Sequence, residues 1–304
     1  MFHIKSPPKI LYKSKAEVDI LQKLNDFVDS SVGAPMTVLY RLWKDQQEAL
    51  SYKEIREAIQ NGELDQEAIE AWLQDYSVFV SQHFAPLWMK AAKVGAENQP
   101  LTRKLPGFTF MSDAQPIQDW ITNHTGNLIT SITNEQVAAV RAMIGRTVDG
   151  KYTVDELSRV IRPCIGLNER QSVANLRYYE TVRDNLIKQY PRMKVESAQK
   201  EARNMALKYA ERQHRQRAYM IAETELVTAY NQGNEQTVLQ AQEAGLLGAV
   251  RRVGLTADDE RVCSKCASKH RQELQVEDGI PPWHPRCRCA VMYVPIESME
   301  GEAK

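Results

Sequence analysis

Between positions 263 and 289 the chain gathers four of its five cysteines and one histidine in a spacing that suits a metal: Cys263, Cys266, His284, Cys287 and Cys289. Cys263-x-x-Cys266 is a chelating knuckle, because two intervening residues let both thiolates reach one ion from a tight turn. His284 and Cys287 repeat that spacing. Two knuckles joined by a spacer offer three sulfurs and one imidazole nitrogen, the tetrahedral set of a structural Zn²⁺. Cys289 competes for a place, since residues two apart on a strand share a face. Four ligands drawn from these five candidates is therefore the expectation. Nothing in the pattern fits an iron–sulfur cluster.

The same residues point away from catalysis. A catalytic zinc keeps one position open beside an acid–base residue. The deaminase signature needs His-x-Glu upstream of Pro-Cys-x-x-Cys, and here Val262 precedes Cys263. No His-Glu-x-x-His, phosphate-binding glycine loop or Gly-x-Ser-x-Gly occurs, and no acidic pair stands apart from helix-surface charge. The expectation is no enzyme, but a zinc that staples a terminal unit with too little apolar mass to hold itself. His270 lies off the pattern and reads as a solvated surface residue. Cys164, between Pro163 and Ile165, reads as a buried small hydrophobe.

Composition sets the frame for these residues. The 304-residue chain is 43% hydrophobic and 26% charged, which argues against wholesale disorder and for about two domains. It carries 39 Lys and Arg against 39 Asp and Glu, so it lacks the strong basic excess of a simple nucleic-acid binder. No apolar run approaches the roughly 18–20 residues of a membrane span, and no membrane partner is expected. MFHIKSPPKI has no apolar secretory core and breaks at Pro7-Pro8. A soluble protein that stays where it is made is expected, with reduced thiols rather than disulfides.

Helix punctuation is dense along the chain. Ser14…Glu17, Ser51…Glu54, Thr133…Gln136 and Thr153…Glu156 each read as a capping box. Apolar residues at helical spacing follow the first, from Ile20 to Val28, and a second helix is expected from about Met36 to Leu50. Asn61-Gly62 reads as a left-handed helix stop. A long amphipathic helix from about Asp65 should bend or break at Pro86. Residues 98–111 read as irregular, and Pro116 suits a first helical turn. Asn168 caps a helix that Pro191 ends. A very long helix from about Val195 to Ala244 follows, with Gly233 as a potential divide and Gly245 as its stop. Strands are expected at Ala249–Leu255 and Cys289–Val294. The fold class is mainly α: long amphipathic helices with a small C-terminal α+β zinc-binding unit.

Charge is uneven beneath the zero sum. Residues 51–80 hold 2 basic against 7 acidic side chains, whereas residues 151–217 hold 15 against 8. Solvated helix faces account for this, or a basic middle segment suited to phosphates beside an N-terminal part that meets protein. The expected organisation is an N-terminal helical region (1–110), a basic helical middle region (111–198), a module over 199–296, and a short tail (297–304).

The run Arg217-Ala-Tyr-Met-Ile-Ala-Glu-Thr-Glu225 with Ala229-Tyr-Asn-Gln-Gly233 resembles the opening helix of the phage Mu protein F-like domain, found in minor head, or head morphogenesis, proteins of tailed phages. The resemblance continues through Ala244-Gly245, a strand, Asp259-Glu-Arg-Val-Cys-Ser-Lys-Cys266, and His284-Pro-Arg-Cys-Arg-Cys289 before the last strand. It covers about Gln199 to Ile296, and His-Pro-x-Cys-Arg-Cys is specific. One departure is Glu223, where members often carry Arg. The matched Thr224-Glu225 and Asn231–Gly233 positions read as organising helix packing and the helix-to-strand turn.

The resemblance implies a non-enzymatic, portal-associated virion protein of the capsid interior near the portal vertex, in the host cytoplasm during assembly. Its implied partners are the portal protein, capsid or scaffold proteins, and packaged double-stranded DNA, with a role in procapsid assembly, DNA packaging or DNA delivery. The alternative is a zinc-stabilised nucleic-acid-binding module carried by Arg251, Arg252, Arg261, Lys265, Lys269, Arg271, Arg286 and Arg288. Asp258, Asp259, Glu260, Glu273, Glu277 and Asp278 nearly cancel those charges. A metal-dependent nuclease or deaminase has the least support in these motifs.

Overall fold

The computed structural model describes residues 15–62, 64–145, 152–256 and 262–296. Residues 1–10, Ser14, Asp258–Arg261 and the 297–304 tail, all invoked above, lie outside the described residues. Helix makes up 73% against a two-stranded sheet, so the chain is mainly α. In order, the helices are α1 (Lys15–Ser31), α2 (Gly33–Ala49), α3 (Tyr52–Asn61), α4 (Gln66–Phe79), α5 (Ala85–Glu97), α6 (Gln115–Gly145), α7 (Val154–Ile161), α8 (Glu169–Gln189) and α9 (Val195–Glu243). Strand β1 (Val250–Leu255), a short α10 (Ser264–Ala267) and β2 (Ala290–Pro295) complete the chain.

The local signals act where their chemistry allows. Ser51 and Glu54 form the reciprocal capping box of α3, and Gly62 ends it at φ 80°. Asp65 caps α4 by accepting from the Glu67 amide. Asn168 and Gln171 cap α8 reciprocally. Pro86 has no amide to donate, and the turn before it, Val80–Phe84, widens into a π-helix closed by the Ala85 amide on the Val80 carbonyl.

Four readings are corrected. Thr133 starts no helix: α6 runs through it, and its hydroxyl donates back to the Ile129 carbonyl at 2.9 Å. Its partner Gln136 turns inward to accept from Tyr76 Oη at 2.7 Å. Thr153 does cap α7, but the Glu156 carboxylate accepts from Tyr179 Oη and Arg183 instead of closing the box. Gly233 does not divide α9, which stays helical from Val195 to Glu243. A Cβ at Gly233 would lie 1.9 Å from the Ala92 carbonyl oxygen, and one at Gly95 would lie 2.1 Å from that of Tyr230. These glycines allow α5 and α9 to touch backbone to backbone. Asn231–Gly233 thus act in mid-helix; the helix ends later, at Gly245, with φ 69°.

Compactness separates two units. One comprises Ser31–Met89 and Asp113–Glu225, and its core includes Trp43, Trp72, Tyr76, Phe84, Trp88, Ile117 and Met143. Within it, Trp43 Nε1 donates to Tyr76 Oη at 2.8 Å, and buried Arg217 donates to the Gly166 carbonyl at 2.9 Å and to Glu135. Cys164 is buried as expected; burial pushes its thiol up to about 12, although Asn175 donates to it.

The other unit comprises residues up to Ser30, Lys90–Ser112 and Leu226 onward. Phe27 of α1 packs on Tyr230 of α9 with ring centres 5.8 Å apart. β1 and β2 pair antiparallel, Leu255 opposite Ala290 and Val250 opposite Pro295. Val238, Leu274, Val291 and Tyr293 form the apolar cluster beneath this ribbon. A two-stranded sheet is marginal alone, so α9 and the Cys/His loops must complete this unit.

Candidate metal centre

Three local devices position the Cys/His set. Cys263 precedes α10, and its carbonyl accepts from the Cys266 amide at 3.1 Å and the Ala267 amide at 2.9 Å. That single turn brings the first two thiols to one side. The Cys287 amide bonds to the His284 carbonyl at 3.1 Å, which makes the second knuckle, with Arg286 at φ 62° in the turn. Cys289 stands directly before β2, whose pairing with β1 carries it back to the knuckles.

The five candidates come together as two overlapping groups: Cys263, Cys266 and His284, and Cys266, Cys287 and Cys289. The ligand atoms within each group lie within 4.8 Å of one another. His284 Nε2 is 3.2 Å from Cys263 Sγ and 3.0 Å from Cys266 Sγ, and Cys266 Sγ is 3.7 Å from Cys287 Sγ. Cys263 is exposed, while Cys266, Cys287 and Cys289 are buried. His284 Nδ1 is 2.8 Å from the Pro285 carbonyl. Donation there leaves the Nε2 lone pair facing the thiols, the tautomer a metal-bound histidine needs. The residues present fit a soft divalent ion.

Electrostatics within the cluster follow from crowding. The Cys289 thiol donates to Cys287 and holds it down to about 5, while the same bond and burial drive Cys289 far upward. Burial lifts Cys266 to about 12, and the Cys266 backbone amide lowers Cys263. Crowded sulfurs cannot all ionise together without a cation, which would replace their protons.

Further residues hold the loops, and sequence reasoning passed over most of them. Asn231 Nδ2 of α9 donates to the Cys289 carbonyl at 3.0 Å, and Asn234 Nδ2 donates to the Val291 carbonyl at 3.2 Å. Asn-x-x-Asn on one helix face was the available signal, and only Asn231 had been singled out. Arg271 grips the Glu17 carboxylate with two 2.9 Å bonds, and Arg288 meets Asp29 at 2.8 Å, so α1 anchors both loops. Glu17, expected only as a capping residue, has this role among the described contacts. Lys265 Nζ donates to the Trp283 carbonyl at 2.7 Å, and Lys269 pairs with Asp278. His270 corrects the surface reading: it is half-buried, and its Nδ1 accepts from the Thr256 amide at 3.2 Å.

Fold and site define a mainly helical protein whose C-terminal ribbon carries a Cys/His cluster of metal-binding geometry. Residues 179–292 match the family model described as phage Mu protein F like protein. The match begins in α8 and ends within β2, so it includes α9 and every candidate ligand. That family suggests a phage head-morphogenesis protein and a virion component. No helix among the described residues is long and apolar enough to cross a membrane. Comparison with curated proteins and with solved structures found no match.

Proposed function

We propose that the chain is a non-enzymatic minor head protein, associated with the portal inside the capsid, that assists procapsid assembly, DNA packaging or DNA delivery. The observation that carries this reading is the F-like match over 179–292, ending on a Cys/His cluster built to stabilise rather than react. Zinc is the proposed ion, because three or more thiolates with an imidazole suit it best. Cys263, Cys266, His284 and Cys287 or Cys289 would hold it. Bound there, zinc crosslinks the loop after β1 to the start of β2, while Asn231 and the Arg288–Asp29 pair orient the chain around it.

Ion pairing supports a structural over a nucleic-acid-binding role for this unit. Arg252, Lys269, Arg271 and Arg288 are each spent on ion pairs with Glu235, Asp278, Glu17 and Asp29. Their charge is therefore largely neutralised within the unit. The test is quantitative mass spectrometry of purified procapsids and heads, with and without the portal protein. Low-copy presence that depends on the portal is the expected result, and absence from heads overturns the reading.

A further inference from the structure

The described basic residues near the Cys/His cluster are mostly paired, but a second basic surface lies elsewhere, on α2, α8 and the first part of α9. Residues 169–217 hold 12 Lys and Arg against 6 Asp and Glu. On α9 Lys208, Arg212 and Arg215 are all exposed, and their spacing of four and three residues puts them on one face. Ala198, Ala202, Ala206 and Ala210 occupy buried positions of the same helix, so the cationic stripe faces solvent. It extends about 10 Å along the axis at 1.5 Å per residue.

Two of these cations, Arg212 and Arg215, lie against aromatic rings. Arg215 lies 5.9 Å and Lys44 5.7 Å from the ring centre of Tyr40 on α2. Arg212 lies 5.7 Å from the ring of Tyr209, which packs on Tyr178 of α8 at 4.9 Å. Ring contacts of this kind fix long side chains and reduce the ordering cost of meeting a ligand. Lys44 also takes the Glu211 carboxylate at 3.2 Å. Among the described residues, Lys208, Arg212 and Arg215 are exposed and make no ion pair with a carboxylate.

We infer that this stripe is a binding surface for the phosphate backbone of double-stranded DNA, read without regard to sequence. Duplex DNA carries one charge per about 1.7 Å of axis with both strands counted, or about 3.4 Å per strand, so about three phosphates of one strand lie along a 10 Å stripe. Sequence-independent binding follows from the chemistry: three cations point outward with no Asn or Gln bidentate pair among them. Single-stranded binding would need open aromatic faces, whereas Tyr40 and Tyr209 already lie against cations and a neighbouring ring. The inference deepens the capsid-interior reading by naming the chemistry of one partner, but it can be tested apart from it.

The test uses the full-length, zinc-loaded protein and a fluorescently labelled duplex of about 30 base pairs, with anisotropy read from 50 to 200 mM salt. The triple change Lys208→Gln, Arg212→Gln, Arg215→Gln is expected to lower the slope of log affinity against log salt by about 2.7, at about 0.9 per phosphate contact. The charge-keeping triple Lys208→Arg, Arg212→Lys, Arg215→Lys, and a control changed at exposed Arg251→Gln, are expected to keep the wild-type slope. Circular dichroism confirms that each variant is folded. An unchanged slope in the first triple, loss of binding in the Arg251→Gln control, or competition by polyglutamate as effective as by unlabelled duplex overturns the inference. Absence of the protein from heads would instead sink the minor-head reading and leave this result standing.

Discussion

Cys266 belongs to both groups of candidate ligands, whereas Cys287 and Cys289 can each stand in for the other. Geometry alone therefore ranks the five residues. Cys266→Ser is expected to abolish stoichiometric zinc retention, while Cys287→Ser and Cys289→Ser singly weaken it without loss. Competition with a chromogenic chelator measures the difference. A second residue-scale prediction concerns His214, which is buried with Nδ1 2.7 Å from the Ala210 carbonyl and Nε2 2.8 Å from the Ile165 carbonyl. Burial pushes it down to about 4, against an ordinary value of about 6.5, with Lys44 and Arg217 adding to the shift. Between these two values the unfolded chain binds the proton and the folded chain does not, so stability falls as pH drops from 6.5 towards 4. The loss amounts to roughly 3 kcal/mol at about 1.4 per pH unit. Urea unfolding at stepped pH should show that His214→Asn removes this component of the pH dependence.

At the scale of elements, α9 is the member that both families of contacts share. Its glycine at 233 meets α5, and two asparagines three residues apart, Asn231 and Asn234, hold the backbone on either side of β2's start. Gly233→Ala would force a Cβ into the Ala92 backbone, where nothing flexible can yield. The expected cost is about 1–3 kcal/mol or more, from overpacking. Gly126→Ala in α6 meets nothing within 4 Å and is expected to stabilise by about 0.5–1 kcal/mol through helix propensity. Thermal unfolding of the two variants should therefore shift in opposite directions. The comparison separates the packing role of Gly233 from the general helix cost of glycine, which a sequence reading of a helix divide conflates.

On the scale of the molecule, the two compact units depend on different physics. The unit of Ser31–Met89 and Asp113–Glu225 has large apolar side chains such as Trp43, Trp88 and Tyr76 fully buried. The unit with the Cys/His loops has a two-stranded ribbon and a small apolar cluster, and the proposed zinc would contribute to its folding directly. Chelation is accordingly expected to accelerate amide hydrogen exchange across 262–296 and β1 while leaving α6 and α8 protected. Uniform loss of protection throughout the chain would show that the ion does not act locally.

Much of this protein was legible in sequence because its signals are short-range. Capping boxes at Ser51 and Asn168, the stops at Gly62 and Gly245, and the Cys-x-x-Cys and His-x-x-Cys knuckles each depend on residues within one turn of the backbone. Local misreadings arose where a side chain had a distant partner: Gln136 served Tyr76, and Glu156 served Tyr179 and Arg183. A capping pattern cannot reveal that competition, because it contains only one of the two partners. Sequence alone determined the helical class, the candidate ligands and the family resemblance. Tertiary structure alone decided that Gly233 is a contact and not a break, that Asn234 and Arg288 hold the cluster's loops, and that the C-terminal arginines are mostly paired. Those outcomes depend on groups tens to hundreds of residues apart in the chain, whose proximity is set by the burial of helix faces rather than by any local motif.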